Sequence, residues 1–364
     1  MSVHIVGMIQ SQKQSEILPT TGPVVDRDYV KTFAQAHEQA GFDRILVPHH
    51  SVSPSAAHTI AYAASVTERI HFLQAHRPGF VSPTYAARDI ASLEQFTQGR
   101  LAVHFISGGS DYEQRRDGDY LDHAQRYART DEYIGLLRRL WTAQAPFNHT
   151  GQYYRFEDGW SDVRPLQSPH VPIFFGGASE IALEVAGRHA DVYALWGESL
   201  KQASELTSRV RAQAAKNGRK IGFSISFRPI LADTEAQAWQ RADQILQTAR
   251  HLRTVNGEVQ QGNALQSEGA RRLLQARDNA TDDDRHLWTA IAELTGGRSN
   301  STALVGTPEQ VADALLKYYD LGVETLLIRG FNPLEDAIDY GRELIPRIRE
   351  GVAARIQQRT RTAA

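Results

Sequence analysis

The stretch "PIFFGGASEIALEVAG", Pro172 to Gly187, joins a short apolar run to a segment with helical spacing. Apolar residues at 173–175 are typical of a buried strand, and apolar positions from residue 181 onward recur at the period of a helix. Gly176 and Gly177 between them allow a tight turn, and Ser179 suits the first position of a helix. The stretch is therefore predicted to be one strand–turn–helix unit.

The same alternation recurs along the whole chain. Apolar runs predict eight strands, at 4–9, 44–50, 70–76, 101–107, 172–177, 191–197, 221–231 and 325–331. Helix-like segments separate them, and near-continuous apolar strands between helices indicate a parallel sheet covered on both faces. Eight such units fit a closed (β/α)8 TIM barrel of the α/β class better than an open sheet.

The predicted domain organisation is a single barrel over residues 1–350 followed by a tail at 351–364. Two segments interrupt the repeat. Residues 146–160 are predicted to form an inserted extended hairpin. Residues 250–303 are predicted to hold one or two helices and a mobile tip hinged at Gly296 and Gly297.

The amino-acid composition excludes several classes of partner and of chemistry. Forty basic and forty-two acidic residues give a net charge of −2 without a polybasic block, which argues against nucleic acid and anionic membranes as partners. The chain has no cysteine, which excludes disulfides, cysteine–metal sites and thiol nucleophiles. No run approaches the ~18 apolar residues of a membrane span, so a cytoplasmic location is expected.

In such a barrel the chemistry belongs at the carboxyl ends of the strands. The "GGAS" turn there suits either a bound phosphate or an ordinary capped turn. A metal site at His49-His50 is disfavoured because adjacent strand residues point to opposite faces and no acidic cluster lies beside them. Arg77, Arg228 and Arg298 suit contacts with an anion, the alternative being surface salt bridges, and Trp196 suits a pocket wall or the core.

Several motifs in one register carry a resemblance. "AHRPG", "GGSDYEQRRDGDYLDHAQRYARTDEY", "PIFFGGAS", "ADVYALWGE" and "STALVGTPEQVAD" together resemble the bacterial luciferase-like flavin monooxygenases, nearest the alkanesulfonate monooxygenase branch. The resemblance runs from about residue 3 to residue 348. It implies a barrel that takes FMNH2 from a separate NAD(P)H:flavin reductase and uses O2. In the sulfonate branch the products are an aldehyde and sulfite. The family usually forms dimers or tetramers, so a homodimer or homotetramer is expected here.

The resemblance also implies roles for individual residues. The FMN phosphate falls on Tyr127, Gly177, Ala178 and Ser179. His104 and Ser107 lie near the flavin ring and ribityl chain, Ala75 against the ring, and His123 on the ribityl–phosphate side. Trp196 matches a pocket tryptophan, and Arg298 matches a loop arginine that reaches in when the 250–303 segment closes.

The substrate half of the resemblance is weaker. The branch has Arg-x-His where this chain has Ser226-Phe227-Arg228, a tyrosine at Phe331 and a histidine at Gln12. A substrate site is expected from Gln10, Arg77, Trp196, Arg228, Arg298 and Phe331, for a small anionic organosulfur compound. Trp196, Arg228 and Arg298 are also candidates for catalytic roles, and His49 or His50 for proton transfer. The alternatives are an F420-dependent oxidoreductase, a non-catalytic flavin-binding barrel and a metal-dependent hydrolase.

Overall fold

The computed structural model describes residues 2–256, 267–297 and 301–363. Its main sheet is a ring of eight parallel strands with helices between them, which is the (β/α)8 barrel that the sequence predicts. All eight predicted strands are present, shortened at their ends by up to three residues. The fold class is therefore confirmed.

Within the described residues the β-strands, in chain order β1 to β12, are His4–Met8, Arg44–Val47, His71–His76, Leu101–Phe105, Phe147–Thr150, Arg155–Gly159, Ile173–Gly176, Val192–Trp196, Gly222–Leu231, Leu287–Trp288, Ala303–Gly306 and Thr325–Ile328. The sheet order is β10-β11-β9-β12-β1-β2-β3-β4-β7-β8, and a further β8–β9 pairing completes the ring. The predicted hairpin is confirmed as the separate antiparallel pair β5–β6.

The α-helices in the same residues, α1 to α13, are Arg27–Gln39, Ala56–Ser65, Pro83–Phe96, Asp111–Arg116, His123–Thr142, Glu180–His189, Leu200–Lys216, Glu235–Val255, Glu268–Leu274, Ala290–Thr295, Pro308–Asp320, Pro333–Asp339 and Ile345–Ala363. The sequence signals for α11 operate as expected. Thr307 and Gln310 form a capping box around Pro308, and Gly322 follows the helix with a φ of 90°.

One compact unit comprises Met1–Ile45, Ala194–Ser208 and Gly222–Ala364. In it β12 pairs in parallel with both β1 and β9, and the end of β9 pairs with β11 in the register Ala303 to Arg228. Helix α8 packs Ala238, Ala242 and Ile245 into a core with Ile230. Because these side chains are apolar and buried, the hydrophobic effect holds α8 against the end of β9.

The other compact unit comprises Leu46–Tyr193 and Arg209–Ile221. Here β4 pairs in parallel with β3 and β7, and Leu73, Ala102 and Phe174 pack together with no appreciable exposure. Glu132 of α5 fastens the β5–β6 hairpin by accepting from the backbone N–H groups of Tyr153 and Tyr154. The prediction of one domain over residues 1–350 stays a prediction.

Among the described residues, helices long and apolar enough to cross a membrane are absent. The predicted 250–303 insertion contains α9, β10 and α10, so its expected helices are present. Gly296 and Gly297 both have a φ of 68°, and Gly297 N–H donates to the Ala292 carbonyl at 2.7 Å to end α10. Residues 298–300 of the predicted mobile tip lie outside the described residues, whereas Ser301 and Thr302 at its end are buried, and the Thr302 hydroxyl donates to the Gly197 carbonyl at 2.7 Å.

Candidate functional site

The turn between β7 and α6 has no room for a side chain at Gly177. Gly177 has a φ of 126°, a conformation that L-residues other than glycine rarely adopt. A Cβ on Gly177 would lie 2.5 Å from the Tyr127 hydroxyl and 2.9 Å from Ala182 Cβ. The Tyr193 hydroxyl donates to the Gly177 carbonyl at 2.5 Å and holds the turn in place. Only a glycine permits this approach of the backbone to Tyr127.

Ser179 is the N-cap residue of α6, but its side chain does not cap the helix. Its Oγ is buried beside the Tyr127 hydroxyl without a hydrogen bond of good geometry to that group or to another described group. The amides of the first helical turn have no partner within a helix, and the helix dipole is positive there. A buried free hydroxyl at such an end suits an anionic group with several acceptor oxygens.

Tyr127 and His123 line the same turn from α5. Burial raises the pKa of Tyr127 to about 12, so its hydroxyl remains a proton donor at neutral pH. The His123 ring lies 4.8 Å from the Tyr127 ring, and burial and the nearby Arg126 lower the pKa of His123. Ala178 is buried. The four residues predicted to hold a phosphate, together with His123, thus lie in one unit around one turn.

Ala75 and His104 are paired across β3 and β4. His104 is half-buried, and burial lowers its pKa to about 4, so its imidazole is neutral at pH 7. Ser107 Oγ donates to Thr130 Oγ1 at 3.0 Å, and Thr130 in turn donates to the Arg126 carbonyl at 2.8 Å. Ala75 offers a flat apolar contact, and His104 and Ser107 offer uncharged hydrogen-bonding groups.

The two adjacent histidines follow β2 instead of ending it, because β2 stops at Val47. The strand rule that puts neighbours on opposite faces therefore does not govern them. His49 is half-buried with its Nε2 buried, and His50 is exposed. Arg77, in the segment after β3, donates from Nη2 to Glu113 Oε1 at 2.8 Å, and its side chain is 3% exposed.

Arg228 lies in the other unit, where it is fully buried. Its Nη1 lies 2.6 Å from Glu16 Oε1, its Nη2 donates to the Gly330 carbonyl at 3.1 Å, and its Cζ lies 3.5 Å from the centre of the Phe331 ring. Burial alone would raise the pKa of Glu16, but Arg228 and Arg329 outweigh burial and hold it at about 2. The predicted anion contact therefore already has a charged partner.

Trp196 ends β8 half-buried, and Gly269 of α9 lies beside its ring. A Cβ on Gly269 would be 3.5 Å from Trp196 Cε3 and Cζ3. One turn further along α9, Arg272 donates from Nε and Nη2 to the Glu198 carboxylate at 2.7–3.0 Å. The insertion is thus fastened next to Trp196 within this unit.

The remaining residues predicted for the substrate site make few described contacts. Gln10 is half-buried after β1, and Gln12 is buried with its Oε1 unpaired. Arg298 lies outside the described residues. In the parts of the chain that the structure describes, groups of three or more His, Asp or Glu side chains able to hold a metal ion are absent.

Sequence reasoning missed Glu16 and Glu113, the carboxylates paired with Arg228 and Arg77. Glu16 lies in the irregular segment between β1 and α1, where no periodic pattern exists. Glu113 lies within a charged stretch of mixed sign, and nothing in that stretch singles it out. Only the fold brings each carboxylate to its arginine.

Comparison with known proteins agrees with this geometry. Residues 4–325 match the model of the luciferase-like monooxygenase family. The chain belongs to that family and is a flavin-dependent monooxygenase.

Solved structures share the fold. A riboflavin lyase, RcaE, with modified FMN and riboflavin has a TM-score of 0.79 and 19% identity, over 96% of this chain and 92% of that one. The oxygenating constituent of 3,6-diketocamphane monooxygenase from Pseudomonas putida, in complex with FMN, has a TM-score of 0.70 and 17% identity, over 96% and 99%. An F420-dependent secondary alcohol dehydrogenase has a TM-score of 0.69 and 16% identity, over 96% and 100%.

Proposed function

We propose that the protein is an FMNH2-dependent monooxygenase that holds the cofactor by its phosphate at the turn between β7 and α6. The observation that carries the proposal is the buried, unpartnered Oγ of Ser179 at the start of a helix it does not cap. A phosphate there would accept from Ser179, from the protonated Tyr127 hydroxyl and from the first amides of α6. Glu180, the acidic residue in that helical turn, contacts Arg209, which offsets its repulsion of a phosphate.

The other site residues bind and orient the rest of the cofactor. Ala75 gives the flavin ring a flat apolar contact, and neutral His104 and Ser107 supply hydrogen bonds near the ring and the ribityl chain. His123 lies on the ribityl–phosphate side. Reduced FMN, if held there, would supply the two electrons for reduction of O2, with one oxygen atom entering the substrate and the other leaving as water. A separate NAD(P)H:flavin reductase would supply FMNH2.

FMN is proposed over F420 because the matching family model is that of luciferase-like monooxygenases. The fold alone does not choose, since structures of the same fold are described with FMN and with F420. Fluorescence titration of the purified protein with each cofactor distinguishes them. Saturable quenching of FMN and not of F420 supports the proposal, and the converse overturns it.

The proposed substrate is a small anionic organosulfur compound, converted as in alkanesulfonate desulfonation to an aldehyde and sulfite. Arg77 and Arg228, expected to bind the anion, are themselves buried and are each paired with a half-buried carboxylate. An anion at either arginine must therefore displace or add to that pairing, at the cost of separating buried charges. Release of sulfite from a panel of sulfonates, with reductase, NADH and O2, tests this substrate class.

The test of the cofactor site uses Ser179→Ala with Ser55→Ala as its matched control. Ser179 makes no capping hydrogen bond, whereas Ser55 caps α2 by accepting from His58 N–H. Ser179→Ala should weaken FMN binding by roughly tenfold, the effect of about 1.4 kcal/mol from one lost hydrogen bond to a charged group, with little loss of stability. Ser55→Ala should lose about 1 kcal/mol of stability with unchanged FMN affinity.

The pair of variants gives opposite results on two measurements, so a general loss of folding cannot imitate the expected outcome. FMN dissociation constants come from fluorescence titration, and stability from urea unfolding. Equal FMN affinity in wild type and Ser179→Ala would contradict the proposed phosphate site.

A further inference from the structure

One carboxylate, that of Glu113, joins three segments at the strand ends of the Leu46–Tyr193 unit. Its Oε1 accepts from Arg77 Nη2 at 2.8 Å and from Ser51 N–H at 3.1 Å, and lies 3.6 Å from His50 Nε2. Ser51 and His50 follow β2, Arg77 follows β3, and Glu113 lies in α4 after β4. Three consecutive βα segments are therefore tied to one oxygen atom.

His49 lies next to this carboxylate and carries a ring nitrogen without a partner. Its Nε2 is buried and has no hydrogen-bond partner among the described residues. The His49 ring stacks on Phe80 at 6.4 Å and 20°, and the Arg77 guanidinium lies 5.8 Å from the centre of the same Phe80 ring. His49 is thus held against Phe80 while its reactive nitrogen remains available.

The charges around His49 oppose each other. Burial, and then Arg77, lower the pKa of His49, whereas Glu113 and Asp117 raise it and His50 lowers it when charged. His76, with its pKa lowered to about 4 by burial, is also in electrostatic reach of His49. Burial and Arg77 prevail, so the pKa of His49 is lowered, and Glu113 and Asp117 limit how far it falls.

We propose that Glu113 is the positioning residue for His49, fixing the segment that carries it and balancing the charge of Arg77 beside it. The inference rests on the proposed function, because it assigns to His49 the proton transfer that accompanies oxygenation. Glu113 acts through the backbone at Ser51 and through Arg77, and has no contact with substrate of its own. Loss of its charge leaves Asp117, 3.7 Å from Arg77 Nη1, as the remaining described carboxylate that offsets Arg77 beside His49.

The test measures His49 directly in the protein without cofactor. NMR of protein labelled in its histidine rings gives the pKa of each histidine in wild type, Glu113→Gln and Glu132→Gln. Glu132 is the matched control because its half-buried carboxylate in the same unit also binds a histidine, His149, at 2.9 Å and backbone N–H groups. We expect the His49 pKa to fall in Glu113→Gln and to remain at the wild-type value in Glu132→Gln.

A kinetic measurement also reports on His49. When kcat/KM is plotted against pH, the apparent pKa that belongs to His49 should be lower in Glu113→Gln than in wild type, and the FMN dissociation constant should be unchanged. Glu113→Ala, which also loses the hydrogen bonds, should lose about 10- to 100-fold in kcat/KM through misplacement of His49. A role confined to folding would lower stability in Glu113→Gln without moving the His49 pKa.

The outcomes separate this inference from the proposed function. An unmoved His49 pKa in Glu113→Gln overturns the inference even if the enzyme is an FMN monooxygenase. A moved pKa together with failure to bind FMN supports the electrostatic part and overturns the proposed function. If Glu113→Gln does not fold, Glu113→Asp replaces it. The shorter side chain moves the carboxylate away from Ser51 and Arg77, so the pKa of His49 should change while that of His149 does not. An unchanged His49 pKa in Glu113→Asp would contradict the inference.

Discussion

The burial of His37, on α1, makes the free energy of unfolding depend on pH, and the size of this effect can be calculated from the structure. Its ring is 2% exposed, packed 4.6 Å from the rings of both Phe33 and Phe42, and its Nδ1 lies 2.8 Å from the Phe33 carbonyl. A Cβ on Gly7 would lie only 2.1 Å from the ring, so the space is closed on that side as well. Burial lowers the pKa of His37 from 6.5 to about 4.

The sign follows from proton binding. The unfolded chain binds this proton near pH 6.5 and the folded chain only near pH 4, so acid favours unfolding. The contribution of His37 is fully present above pH 6.5 and is lost as the pH falls toward 4. A shift of 2.5 in pKa corresponds to a loss of about 2 kcal/mol at pH 5 and about 3 kcal/mol at pH 4.

The assay compares wild type with His37→Gln by urea unfolding at pH 7, 5 and 4. Glutamine does not titrate, and its amide can still donate to the Phe33 carbonyl. The substitution has its own constant cost, so the quantity that matters is how the difference in unfolding free energy changes with pH. It should shift by about 2 kcal/mol in favour of the variant between pH 7 and pH 5. His76 and His104 are present in both proteins, so their effects on stability cancel in the difference. If the unfolding free energies of the two proteins change equally with pH, the reasoning is refuted.

Two further substitutions test the turn and the fastening of the insertion. Gly177→Ala should lose at least about 2 kcal/mol of stability, because it adds strain at a positive φ and a contact with Tyr127, and should abolish FMN binding. Gly218→Ala, at a φ of 64° in open space, is its control, and equal losses in thermal melts and titrations would argue against the contact. Arg272→Ala should cost about 3–5 kcal/mol in urea unfolding, because it leaves the Glu198 carboxylate buried and unpaired. Adding Glu198→Gln should recover part of that loss, and no recovery would show that the pair is not the cause.

The regular part of the fold could be predicted because it depends on local patterns. Each barrel strand is a short apolar run ending in polar or glycine residues, and the helix ends carry their own chemistry, as Thr307 and Gln310 show at α11. The turn at Gly177 belongs only in part to the same class: Gly176, Gly177 and Ser179 are neighbours in sequence, but Tyr127 and Tyr193, which contact the turn, are distant. The FMN-binding role assigned to that turn remains a proposal.

The charged half of the site could not be predicted, because it depends on contacts between distant residues. Nothing near Arg228 in sequence indicates that Glu16, more than two hundred positions away, lies 2.6 Å from it. Arg77 and Glu113 are likewise 36 residues apart. An arginine at a strand end is equally compatible with a ligand and with a carboxylate of the same chain, and only the fold distinguishes them. β10 was missed because two residues are too short to show a pattern.

The strands that extend beyond the ring also bear on how the protein behaves at high concentration. β11 is added to the end of β9, and its other side is covered by β10, an antiparallel strand of only two residues, Leu287–Trp288. An uncovered strand edge is a template on which further chains can add, and a very short outermost strand offers few groups for such pairing. The short strand β10 therefore limits the addition of strands from other molecules at the edge of β11, and with it aggregation through that edge.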